Sequence, residues 1–243
     1  MKHTLRLLAI IVMAYSLNAC TNIFRDNNCT EGSGDVITED RTFDSSIRNI
    51  FNGIAGNVYI AQGNTQKVTI KAQANVIALL DLKVVNKELV IQFKNNTCIN
   101  NANIDIFVTT PTIDKVTQAG SGNIIGQNIW NTSNLEIVLS GSGNIQAAIQ
   151  STDVQSTIIG SGSITLSGNT QNQRIEIGGS GNYNAFGLAS EQAVTNITGS
   201  GSIEVLASKS LNATISGSGN IAYKSTPSVT QRISGSGKVI NAN

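Results

Sequence analysis

The chain has 243 residues, enough to bury a substantial core, with 40% hydrophobic and only 13% charged residues. Its 16 Lys+Arg against 15 Asp+Glu leave a formal net charge of +1, which excludes a basic nucleic-acid footprint and an acidic disordered tail. Its 23 glycines against 2 prolines exclude collagen and Pro-rich linkers, and the single histidine, His3, leaves the rest of the chain without Ser-His-Asp, Cys-His or His-ligated zinc chemistry.

Lys2, His3 and Arg6 precede an apolar run from Leu7 to Leu17. The run is shorter than the about 20 residues that span a bilayer, and it has the form of a secretory signal. It ends in Leu17-Asn18-Ala19-Cys20, which resembles a bacterial lipobox except at Asn18. Residues 1–19 are therefore read as a lipoprotein signal peptide and Cys20 as the lipidation site. More than one acyl chain there would hold the protein at a membrane without a helix. The polar residues 20–40 read as a lipid-anchored tether. Cys29 and Cys98 lie in a compartment that permits disulfides; a bond would tie the tail to the loop around Cys98, and two unpaired thiols are the alternative.

Residues 41–118 read as an irregular β-rich part. Strands are expected at Asn57 to Ala61, Lys67 to Ala72, Glu88 to Lys94 and Ile104 to Thr109, with a hairpin turn at Asn86-Lys87. The stretch Asn75 to Leu80 fits a short helix or a strand equally well. Gly53-Ile54-Ala55-Gly56 looks like a degenerate form of the corner that governs the second half, so this part is expected to cap it.

From residue 119 a repeat takes over. Gly-Ser-Gly begins at Gly120, Gly141, Gly160, Gly179, Gly199, Gly217 and Gly235, at intervals of 21, 19, 19, 20, 18 and 18 residues, the signature of a solenoid. Two residues before each corner stand Leu139, Ile158, Ile177, Ile197, Ile215 and Ile233. Four after it stand Ile124, Ile145, Ile164, Tyr183, Ile203, Ile221 and Val239. The columns six before (Leu135, Val154, Gln173, Ala193, Leu211, Val229) and six after share their parity, the period of two of a half-buried strand. Each unit reads as strand, corner, strand and a loop that absorbs the length variation. Asn or Ser follows most corners and can stack into hydrogen-bonded ladders. The expected fold is all-β: a β-helix-like solenoid of short stacked strands over 119–243, preceded by the irregular part 41–118.

With its lipobox, its Gly-Ser-Gly-Asn-Ile copies and its strand-rich lead-in, the chain resembles the bacterial family known as "putative auto-transporter adhesin, head GIN domain", over roughly residues 42–225. The resemblance implies a β-helix-like fold on an exported, often lipid-anchored protein of Bacteroidetes-type bacteria. It supplies no catalytic residues.

No cofactor motif emerges. The corners lack a third glycine, a Gly-Lys-Ser/Thr and a following helix, so they do not cradle phosphate. Calcium-binding β-rolls need Asp after the Gly-x-Gly, where the seven repeats have Asn, Ser or Lys and only Asp35, after an outlying Gly32-Ser33-Gly34, fits, so no metal is expected. Asp153 and Glu191 each follow a corner by twelve residues, and in register they would sit about 9.6 Å apart, near the spacing of an inverting glycosidase. Trp130, in the longest inter-strand segment, is the candidate ligand contact, with core packing as the other account. The expected function is that of a non-catalytic cell-envelope lipoprotein at the outer membrane. It would be an adhesin or binding module, held by its lipid and presenting stacked polar faces to a glycan or an envelope protein. The alternatives are a carbohydrate-active β-helix enzyme and a structural assembly component.

Overall fold

The computed structural model describes residues 29–243, and these are almost wholly strand because alternating apolar residues recur along nearly the whole stretch. The first part contributes β1 (Thr30–Glu31), β2 (Val36–Arg41), β3 (Asn49–Asn52), β4 (Asn57–Gln62), β5 (Lys67–Gln73) and the short helix α1 (Ala74–Ile77). It continues with β6 (Leu80–Val85), β7 (Glu88–Phe93), β8 (Ile99–Asn100), β9 (Asp105–Thr110) and β10 (Lys115–Gln118). The β6–β7 hairpin turns at Asn86 and Lys87, with φ of 51° and 67°, the left-handed pair that matches strand twist. The ambiguous stretch after Gln73 begins as α1, which buries Val76 and Ile77. Part of the polar segment expected as a tether is folded: β2 adds antiparallel to β5, and β1 pairs with β8. Its alternation is too polar to read as strand, and what fixes it is pairing with partners distant in sequence.

The repeats contribute β11 (Asn123–Leu139), β12 (Asn144–Ile158), β13 (Ser163–Asn169), β14 (Asn172–Ile177), β15 (Asn182–Gly199), β16 (Ser202–Gly217), β17 (Asn220–Lys224), β18 (Ser228–Gly235) and β19 (Lys238–Asn241). They wind into a β-solenoid of about seven turns. One face runs β2-β5-β9-β4-β11-β12-β13-β15-β16-β17-β19, and the other runs β6-β7-β3-β10-β11-β12-β14-β15-β16-β18. The sheet is continuous past residue 118, because β10 pairs in parallel with both β3 and β11. The expected loop between units is replaced in β11, β12, β15 and β16 by strand that bends from one face to the other. The extra residues before Trp130 are taken up as a register shift between Ile125 and Ile129.

The corners stack glycine on glycine. A Cβ on Gly143 would lie 1.8 Å from the carbonyl oxygen of Gly122, and one on Gly162 would lie 1.9 Å from that of Gly143. The degenerate corner is the first of the stack, since a Cβ on Gly122 would lie 1.9 Å from the oxygen of Gly56. Beside the corners runs a ladder of side chains. Asn123 Nδ2 donates to Asn57 Oδ1 at 2.8 Å, Asn144 Nδ2 to Asn123 Oδ1 at 2.9 Å, and Ser202 Oγ to Asn182 Oδ1 at 2.6 Å.

The core is the stripe of column residues: Ile124, Ile145, Ile164, Ile203 and Ile221 on one face, and Leu139, Ile158, Ile197 and Ile215 on the other, are fully buried. The two members that break their columns, Tyr183 and Gln173, answer each other across the core. The Tyr183 hydroxyl donates to Gln173 Oε1 at 3.0 Å, and burial pushes the phenol pKa up, keeping it neutral. Tyr183→Phe is therefore expected to cost about 1–3 kcal/mol by stranding Gln173. Adding Gln173→Leu should recover much of that loss in denaturant titrations, and a double variant no better than the single would contradict the pairing.

Candidate functional site

Inward Leu135, Val154, Gln173 and Ala193 force their chain neighbours outward, because strand side chains alternate. Two columns therefore line the outer surface of the second face. The first is Asn134, Asp153, Asn172 and Gln192, and the second is Glu136, Gln155, Arg174 and Val194. Together with Arg48, Gln62, Asp114 and Asn131 they line a groove of about 1110 Å³. Successive rungs are about 4.8 Å apart, so the first column extends for roughly 14 Å.

The groove is close to neutral because its charges are used internally. Arg48 Nε contacts Asp114 Oδ2 at 2.5 Å, a hydrogen bond that raises the pKa of the guanidinium. Glu136 pairs with Lys115 at 2.8 Å and Arg174 with Glu176 at 3.1 Å, while Asp153 Oδ1 accepts from Asn172 Nδ2 at 2.8 Å. Gln62 locks one wall, donating to the carbonyls of Pro111 and Asn131 and accepting from the Asn131 N–H. In contrast, Asn134, Gln155 and Gln192 spend their side chains on no other described residue. Each carboxamide offers two donors and an acceptor in one plane. Strands β11, β12, β14 and β15 under the groove are paired on both sides, so no free backbone edge is available to a peptide. Chemically, the arrangement can hold a neutral ligand rich in hydroxyls.

The family model described as "Putative auto-transporter adhesin, head GIN domain" matches residues 50–227. The chain belongs to this family. Among solved structures it is similar to a "putative adhesin" from Bacteroides fragilis, with 26% identity and a TM-score of 0.83 over 87% of this chain and 99% of that one. A "putative lipid binding protein" from Parabacteroides distasonis has the same fold, with 24% identity and a TM-score of 0.73 over 87% and 99% of the two chains. A "putative adhesin" from Parabacteroides merdae shares it too, at 24% identity and a TM-score of 0.70 over the same shares. No curated protein matches the chain. Membership of this family points to an exported or cell-surface protein with an adhesin-like role.

The residues singled out from sequence fall in different places. Cys20 lies outside the described residues. Cys29 and Cys98 form a disulfide beside the β1–β8 pair, closing a separation of 69 residues. Reduction, or Cys98→Ser, is expected to lower stability by about 2–4 kcal/mol, read as a shift of the unfolding midpoint with and without reductant. Of the two accounts of Trp130, ligand contact and core packing, the structure places it in the core. It is fully buried, and its indole N–H donates to the Ile60 carbonyl at 3.3 Å, because the bulge before it turns the ring inward. Asp153 and Glu191 do not form a pair. The column partner of Asp153 two rungs on is Gln192, while Glu191 sits in a bulge and contacts Lys209 at 2.7 Å. The enzyme alternative thus loses the geometry on which it stood. The groove is not among the sequence expectations, although the sequence carries a signal for it: four of the eight positions flanking Leu135, Val154, Gln173 and Ala193 are carboxamides.

Proposed function

We propose that this protein is a non-catalytic binding module of the bacterial cell envelope, exported and held at the outer membrane by lipid on Cys20. Its groove takes a neutral glycan. The observation that carries this reading is the set of uncommitted carboxamides, Asn134 and Gln192 in the first column and Gln155 in the second, on a floor whose charges other than Asp153 are ion-paired. Planar amides match adjacent sugar hydroxyls donor to acceptor, and repeated rungs offer many weak contacts in a row. The leader and the family support export. The lipobox-like Leu17-Asn18-Ala19-Cys20 supports the anchor.

Glycan arrays probed with the mature chain are expected to show binding to neutral oligosaccharides. Gln155→Ala combined with Gln192→Ala should weaken it at least tenfold without moving the unfolding midpoint. Binding only to envelope proteins, or unaltered glycan binding by that variant, would overturn the glycan reading. Cys20→Ser should move the protein from the membrane to the soluble fraction, and retention there would overturn the anchor.

A further inference from the structure

The two ends of the solenoid differ from its middle. At the C-terminal end, among the described residues, β19 is paired only with β17 and β18 only with β16, so neither edge has a further described strand on it. Ile233 and Ile240 there are each 43% exposed, although Ile197 and Ile215, which precede Ile233 in its column, are buried. At the N-terminal end, β2 is paired among the described residues only with β5, and Val36 and Ile37 are 50% and 43% exposed. With Val85 on β6, the end strand of the second face, five of the eight exposed large apolar residues among those described lie on end strands.

We propose that the occupant of each end is the opposite end of a second copy, so that the solenoid extends head to tail. The first argument is direction. β2 is antiparallel to β5, β5 is antiparallel to β9, and β9 is parallel to β4 and through it to every later rung of that face. β2 and β19 therefore run the same way on the same face, and β19 of one copy meets β2 of the next as a further parallel rung. The second argument is charge. The last three strands, β17, β18 and β19, carry Lys224, Arg232 and Lys238 and no acid. Around β2 stand Glu31, Asp35, Glu39, Asp40 and Asp44. Glu39 is paired with Arg41 and Asp40 with Lys67, which leaves Glu31, Asp35 and Asp44 without a cation among the described residues. A basic end thus faces an acidic one across the junction. Like charges would oppose joining two C-terminal ends. An interface of this head-to-tail kind propagates rather than closing as a dimer. It stands independently of the groove and of its ligand.

The test uses the mature chain carrying Cys20→Ser, so that no lipid drives association, followed by light scattering and sedimentation from micromolar to millimolar concentration. Wild-type ends are expected to give oligomers that grow with concentration and shrink as salt rises. Arg232→Glu with Lys238→Glu should abolish assembly, and so should Asp35→Lys with Glu39→Lys in a separate chain. Mixing the two altered chains should restore it, because each then offers what the other lacks; circular dichroism of each confirms folding beforehand. A monomer at all concentrations in low salt, assembly that survives either charge reversal, or a mixture that stays monomeric would overturn the proposal.

Discussion

Gly143→Ala is expected to destabilise the protein by at least about 3 kcal/mol, at or beyond the upper end for overpacking. The added methyl would lie 1.8 Å from the Gly122 carbonyl oxygen and 2.9 Å from its carbon. These are backbone atoms of the neighbouring rung, so no rotamer change relieves the clash, and the two corners must separate. Separation stretches the Asn144 N–H bond to the Gly122 carbonyl, and with it the Asn144–Asn123 side-chain bond. Gly178→Ala is the control. It lies just before a corner, and its methyl would meet nothing closer than the Ile158 oxygen at 4.0 Å. That change is expected to be neutral or to stabilise by up to about 1 kcal/mol. Urea titration of the two variants measures the contrast, and equal midpoints would mean that the corners do not set the rung spacing.

Trp130→Ala is expected to cost about 3–5 kcal/mol, the range for emptying a large aromatic from a core. Trp130 heads the largest fully buried side chains among the described residues, and its loss also deprives the Ile60 carbonyl of its indole donor. A methyl on Gly126 would touch the ring at 3.2 Å, so the neighbouring backbone is already close-packed around it. Trp130→Phe should keep much of the packing and cost less. The measurement is the unfolding midpoint by fluorescence-independent circular dichroism. A folded, undiminished Trp130→Ala variant would return the residue to the role of ligand contact.

The second half of the fold was legible because each unit repeats the same solution: small corner residues and aliphatics at fixed even offsets leave one arrangement in which all stripes are buried. Even the exceptions in the columns, Gln173 and Tyr183, are informative once paired, but nothing in one-dimensional spacing says that they meet. The strands β4, β5, β7 and β9 were visible from local alternation, whereas β2 was not. Its sequence Val36–Arg41 is polar, and it is a strand through its pairing with β5.

The candidate site was harder to read, for a single physical reason. Side-chain direction in a strand reverses with every residue, so one bulge reverses every assignment that follows it. The shift between Ile125 and Ile129 put Trp130 inside, and the bulge at Glu191 put Gln192 in the groove instead. Counting from the corner is dependable as far as the first bulge and loses parity beyond it.

The bare corners carry a consequence for the length of this molecule. Since Gly122, Gly143 and Gly162 meet through main chain alone, no side chain at these corners marks one tier as different from the next. Whole tiers can then be duplicated or lost in inheritance without re-engineering what lies above and below. The reach of the shaft becomes a quantity that genetic recombination can adjust in steps of one storey.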